Sequence, residues 1–289
     1  MLENLKTALL LGIMSAILVV VCGAIGSIFS LGSFGIFIGF IFAIIMNFVS
    51  YFYSDKIALS SYNARIVSEQ EAPNLHRIIG ELSNQAGIKK PRVAIIESNT
   101  PNAFATGRNQ SHAAVAVTTA LLQILNEDEL RGVLSHELGH IKNRDILISS
   151  VAATLAGMIV AIADWGRYAV FFATDDDAGS ILGSLLIAIL GPIAATLIQL
   201  SISRSREYKA DATGAQICGN PHALAEALRK LEFANINMPM TDAKSTDAHM
   251  FIINPLTNIG GALQKLFSTH PSTADRIKRL EGMAVSQQY

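Results

Sequence analysis

His136, Glu137 and His140 stand in an HExxH run, His-Glu-Leu-Gly-His. Residues four apart lie one above the other on a helix, so both imidazoles can reach one ion. Glu137, one step round, can act as general base on a water held at that ion. Zinc suits the chemistry, because it lowers the pKa of a bound water towards ~7 and so yields a nucleophile at neutral pH. By itself the run also describes two histidines on a packed or solvated helix. Its setting favours the chemical reading. Asn126, with Glu127, Asp128 and Glu129 in the first turn, caps a helix that continues through Leu130, Val133, Leu134 and Leu138. Gly139 leaves room for a close neighbour.

A catalytic zinc takes a third protein ligand and keeps a fourth position open. Finding that ligand requires the elements that position the motif. The chain has 289 residues, 51% of them hydrophobic and 16% charged, with a formal net charge of -1. An average soluble domain carries about 25% charged residues. So much apolar material excludes disorder, and the near-zero charge argues against a nucleic-acid partner. Cys22 and Cys218 are too far apart in sequence to suggest a disulfide scaffold.

The missing charge is concentrated. Residues 7–54 contain no Asp, Glu, Lys or Arg. One bilayer crossing needs about 20 apolar residues, so this run predicts two spans with a turn near residues 27–33. The second span carries Gly35 and Gly39 at the spacing of close helix packing. A loose match to a cleaved signal peptide is outweighed by the second apolar span that follows at once. Residues 146–163 and 178–203 are two further charge-free runs, separated by a short loop with Asp164, Arg167 and Asp175 to Asp177. Ten Lys/Arg lie in residues 55–145, ten in residues 204–289 and one in the loop. The rule that basic residues stay inside puts the two soluble segments in the cytoplasm and the acidic loop outside.

The third and fourth spans then form a hairpin that returns the chain to the face where His140 lies. Glu207, just beyond the fourth span, arrives at nearly the depth of His140 and is the candidate third ligand. Asp211, four residues on, shares its helix face and could accept the free N–H of a ligating histidine, fixing its tautomer. The alternative is that both are solvated charges among Arg204, Arg206 and Lys209.

Periodicity supplies the rest. Residues 72–86 read as a helix, 92–96 as a strand, 100–102 as a turn and 113–118 as a second strand in a small sheet. Helices follow over 119–125 and from 126 onward. After the spans, helices are expected over 204–218, from 221 to about 233 and over 272–283, with a loop at 235–255.

Taken together, HELGH, the stretch SRSREYKADATGA from Ser203, the segment Asn102-Ala103-Phe104-Ala105-Thr106-Gly107, and Ser268-Thr269-His270-Pro271 followed by Arg276-Ile277 resemble the HtpX-type membrane zinc metalloproteases. These are gluzincins related to the type I CAAX prenyl endopeptidases. The resemblance covers essentially the whole chain. It implies an α+β, mostly α fold: four transmembrane helices and a cytoplasmic zincin-like domain with a small sheet. The expected divisions are a membrane hairpin at 1–54, a protease half at 55–145, a second hairpin at 146–203 and a C-terminal half at 204–289.

It further implies a multi-pass inner-membrane endopeptidase, stress-induced, that faces the cytoplasm. Its substrates would be misfolded or damaged membrane proteins. One zinc ion per chain would be held by His136, His140 and Glu207, with Glu137 as base. Asn102 would lie beside a substrate-binding edge strand, where an extended peptide can add by backbone bonds; otherwise it is a plain turn residue. His270 would help to stabilise the oxyanion, or serve only as a structural residue before Pro271. The rival readings are an inactive membrane scaffold and a transporter-like four-helix protein. The complete set of ligand types weighs against the first, and the lack of intramembrane charge in residues 7–54 against the second. Oligomeric state is not legible.

Overall fold

An unbroken apolar run with no proline makes one long helix, α1 (Ser33–Ser61). The computed structural model describes residues 33–173, 204–237, 252–253 and 271–286, with scattered positions between 5 and 23. At a 1.5 Å rise per residue α1 spans about 43 Å, more than a hydrocarbon core of about 30 Å. Its most apolar stretch has a mean hydropathy of 2.1, and among the described residues it is the one helix long and apolar enough to cross a membrane. Phe37, Phe40, Ile44 and Phe48 on α1 are exposed, a surface that suits lipid rather than water. The helix outlasts its charge-free run and carries Asp55 and Lys56 into the soluble region.

The sheet has four strands: β1 (Arg65–Ile66), β2 (Arg92–Ile96), β3 (Ala103–Gly107) and β4 (Ala113–Thr118). Their spatial order is β1-β2-β4-β3. β2 and β4 are parallel, and β1 and β3 flank them antiparallel. Helix α2 (Pro73–Ala86), started by its proline and stopped by the left-handed Gly87, provides the crossover between β1 and β2. One sheet face joins the main core with Ile78, Leu82, Val115 and Val117. The other packs Phe104, Ala94 and Ala116 against Ala58, Leu59 and Tyr62 at the end of α1. With both faces buried, β3 and β4 lose the alternation of a half-exposed strand. β2 and β4 fall where expected; β3, with Thr106 as its one β-branched residue, is a strand that the sequence reading does not assign.

Helix α3 (Thr119–Ile124) leads to α4 (Glu127–Asn143), which begins with a full capping box between Asn126 and Glu129. Then come α5 (Ile146–Ala173), α6 (Arg204–Cys218), α7 (Pro221–Asn237) and α8 (Thr273–Ser286). α5 is apolar over Ile146–Ile159 and continues to Ala173. Asp164 and Arg167, expected in a loop, are therefore helical, since no proline interrupts the run. The expected fourth span lies outside the described residues, and the expected first is described in part, with helical residues at 11–13 and 15–20.

Candidate metal centre

α4 is charged yet buried, and two glycines permit it. A Cβ on Gly139 would stand 2.9 Å from the Ala210 carbonyl oxygen, and one on Gly214 would stand 2.8 Å from the His136 nitrogen. Backbone therefore lies against backbone where α4 meets α6. This brings the first turn of α6 to the HExxH face.

There His136 Nε2 and His140 Nε2 are 3.1 Å apart. Glu207 places Oε2 3.8 Å from the first and Oε1 3.7 Å from the second. One donor atom from each of the three lies within 4.8 Å of the others. An ion held by N and O ligands at about 2.0–2.2 Å in tetrahedral geometry separates its donors by roughly 3.3–3.5 Å, so the triangle fits one.

Each histidine is oriented from behind. His136 Nδ1 is 2.9 Å from Asp211 Oδ1, and His140 Nδ1 is 3.1 Å from Asp145 Oδ1. With each Nδ1–H donated to a carboxylate, both Nε2 lone pairs face one point. Lone pairs 3.1 Å apart require a cation between them, either a shared proton or a metal. Glu207 and Asp211 thus lie where the sequence reading expects them, beside the two imidazoles. Asp145 was not foreseen. α4 ends on Arg144 in the left-handed conformation, φ 63°. That turn folds Asp145 back onto His140.

The second unforeseen residue is Arg276 on α8, buried at 2% exposure. Its Nε and Nη2 donate to Asp211 Oδ2 and Oδ1 at 2.9 and 2.7 Å. Nη1 donates to the Ile252 carbonyl at 2.9 Å. Nη2 is also 3.3 Å from His136 Nδ1, because both groups bond the same carboxylate oxygen. The only advance signal was its place in the late stretch after His270-Pro271.

Electrostatics follow from this burial. Burial alone would raise Asp211, but Arg276 and then His136 outweigh it and hold the carboxyl down at about 2. His136 is pushed down by burial and by the Arg276 charge. Burial also opposes charge on His140, yet Asp145, Glu207 and Glu137 outweigh it and raise the imidazole to about 10. Glu137 is pushed up to about 7, chiefly by burial, and accepts a hydrogen bond from the Ala105 N–H on β3. A carboxyl poised near neutrality can take and return a proton.

Asn102 is fully buried at the start of β3, with its amide turned to the chain itself. Nδ2 donates to the Ile253 carbonyl at 2.9 Å, and Oδ1 accepts from Ala103 N–H at 3.1 Å. Ile252 N–H in turn donates to the Ala103 carbonyl at 3.1 Å. Ile252 thus pairs with the open edge of β3, where an added strand would sit. His270 lies outside the described residues.

The model of peptidase family M48 matches residues 69–284. The chain belongs to peptidase family M48. The M48 match spans the HExxH helix, Glu207, Asp211 and Arg276, and it makes the chain a metalloprotease by family. Relatives agree over nearly the full length. The chain is 53% identical over 283 residues to the Protease HtpX homolog of Pyrococcus furiosus, covering 97% of this chain and 96% of that protein. It is 49% identical over 287 residues to the Protease HtpX homolog of Syntrophobacter fumaroxidans, covering 97% and 99%. Among solved structures it is similar to the crystal structure of S. mikatae Ste24p, with a TM-score of 0.49 and 18% identity, covering 96% of this chain and 65% of that one.

Proposed function

We propose that this M48 protein is a zinc-dependent endopeptidase of the inner membrane. Its active site faces the cytoplasm, and it cleaves misfolded or damaged membrane proteins. The observation that carries the reading is the donor triangle of His136, His140 and Glu207 with a carboxylate behind each imidazole. Two nitrogens and one carboxylate oxygen are a catalytic zinc set. Bound zinc would supply a Lewis acid that polarises the scissile carbonyl and acidifies a water.

This chain's residues do the rest. Glu137 takes the proton of the attacking water and returns it to the leaving amide nitrogen. Asp211 and Asp145 hold the Nδ1 protons and so turn both Nε2 atoms towards the ion, and Arg276 keeps Asp211 ionised. Glu207 and His140 are the partly exposed members, at 11% and 19% side-chain exposure, so substrate approaches from their side. Asn102 holds the start of β3, where an extended substrate would compete with Ile252 for the edge. His270 acts on the oxyanion. The exposed apolar face of α1 and the basic residues of both soluble segments support placement at the cytoplasmic face.

The test is Glu137→Gln in the purified full-length protein with an unfolded membrane-protein substrate. Cleavage should fall by about 10²–10⁴-fold while zinc content stays near one per chain. Undiminished cleavage sinks the reading. Glu207→Ala should lose zinc as well as activity, and full zinc content would mean that another residue is the third ligand.

A further inference from the structure

Away from the metal donors, a cavity of about 550 Å³ opens where the sheet meets the lower part of α1. The topology builds it. β2 and β4 start at this end of the sheet and β3 finishes there, so Lys89, Arg92, Arg108 and His112 converge on one concavity. α1 supplies the opposite wall with Phe48, Phe52 and Tyr53 and closes it with Lys56.

The charges are unevenly matched. Arg92 bonds Asp55, and Lys90 bonds Glu69. Among the described residues Lys56, Lys89 and Arg108 have no carboxylate at ion-pair distance. Two of these cations rest on aromatic faces of α1: the Arg108 guanidinium is 5.3 Å from the Phe52 ring and the Lys56 ammonium 5.2 Å from the Tyr53 ring. Such stacking holds a cation in place without neutralising it. Arg108 also borders a second cavity of about 560 Å³, shared with Arg144, Leu11 and Ile146.

The depth identifies the ligand. Asp55 and Lys56 mark the end of the apolar stretch of α1, so the cavity sits at the level of lipid headgroups. It presents cations to one side and exposed Phe48 and Phe52 to the other. We propose that this cavity binds one anionic phospholipid, its phosphate among Lys56, Lys89 and Arg108 and an acyl chain along Phe48 and Phe52. A lone basic residue near a bilayer attracts any anionic headgroup; three unneutralised cations around one concavity select a bound molecule. The phosphate chemistry alone would also suit a free anion, and the apolar wall decides for the lipid.

The experiment uses the full-length protein in nanodiscs of equal phosphatidylglycerol and phosphatidylcholine, released for native mass spectrometry. One phosphatidylglycerol should be retained per chain in preference to phosphatidylcholine. The triple variant Lys56→Ala, Lys89→Ala, Arg108→Ala should lower that retention about fivefold or more, given that each basic residue near an anionic surface contributes to the attraction. Lys278→Ala, exposed on α8 and lining no part of the cavity, should leave it unchanged. Millimolar inorganic phosphate should not displace the lipid. Equal retention of both lipids, a triple variant that retains as much as the parent, or displacement by phosphate would each overturn the proposal. If the triple variant aggregates, Lys89→Ala alone decides: retention should drop about twofold, and an unchanged value counts against the site.

Discussion

α1 and α4 solve opposite solvation problems. α1 is almost purely apolar, yet its large side chains Phe37, Phe40 and Ile44 are exposed. α4 carries His136, Glu137 and Glu129, yet all three are buried. In a water-soluble protein the assignments would be reversed. α1 carries its large apolar side chains outside, a surface that suits hydrocarbon rather than water. α4 is stable inside because its buried titratable groups have partners: Asp211 for His136, Asp145 for His140, Ala105 N–H for Glu137, and Asn126 N–H with Lys230 for Glu129. What decides burial in this molecule is whether a group finds its complement, and hydropathy alone predicts neither helix.

Four measurements would sharpen or break that contrast. The largest effect is expected from Arg276→Ala, which leaves Asp211 buried beside an unbalanced network. Removing one partner of a buried ion pair costs about 3–5 kcal/mol. Thermal unfolding of the detergent-solubilised protein should show a loss in that range, together with reduced metal content, and a loss below about 1 kcal/mol would mean that the network is solvated. Next is Ile44→Lys on the exposed face of α1. In water this would be near neutral, but a lipid-facing site costs about 2.5–3.5 kcal/mol on an insertion scale. A membrane-insertion assay that finds no penalty would remove α1 from the bilayer.

Gly214→Ala tests the close approach of α4 and α6. Its Cβ would meet the His136 nitrogen at 2.8 Å, so overpacking of about 1–3 kcal/mol is expected, with weaker metal binding because the donor triangle opens. Unchanged metal affinity would show that the helices can separate without cost to the site. The smallest effect is a count of protons. His140, held at about 10 without metal, is protonated at pH 7.5 and must be neutral when it ligates. Calorimetry of zinc binding in buffers of different ionisation enthalpy should therefore find about one proton released per ion, with affinity rising as pH rises. Release near zero would mean that the imidazole is already neutral in the metal-free protein.

The residues of α4 and α6 were the most legible part of the site. Spacing of four on a helix places His136 beside His140 and Glu207 beside Asp211, whatever the surrounding fold. The charge-free runs on either side made Glu207 the acid nearest the membrane after the second hairpin, which distinguished it from the other carboxylates. β3 was not legible as a strand, because Ala103–Gly107 has Thr106 as its one β-branched residue, whereas the equally buried β4 carries Val115, Val117 and Thr118. Asn102 stood out as a residue, but its partner Ile253 is 151 positions away. Lys89, Arg92 and Arg108 share no sequence pattern, and strand order alone brings them to one end of the sheet.

By itself the sequence determined which donor atoms exist and which of them share a helix face, because helical spacing is local and survives any packing. It also determined where charge is absent and hence which segments suit hydrocarbon. Tertiary structure alone decided which carboxylate orients which imidazole. Asp145 reaches His140 only through a left-handed turn at an arginine, a conformation that side-chain type does not announce. Arg276 reaches Asp211 only because α8 packs beside α6, across 65 residues of chain. Contacts of that kind depend on the summed geometry of many elements, and no short window of sequence contains it.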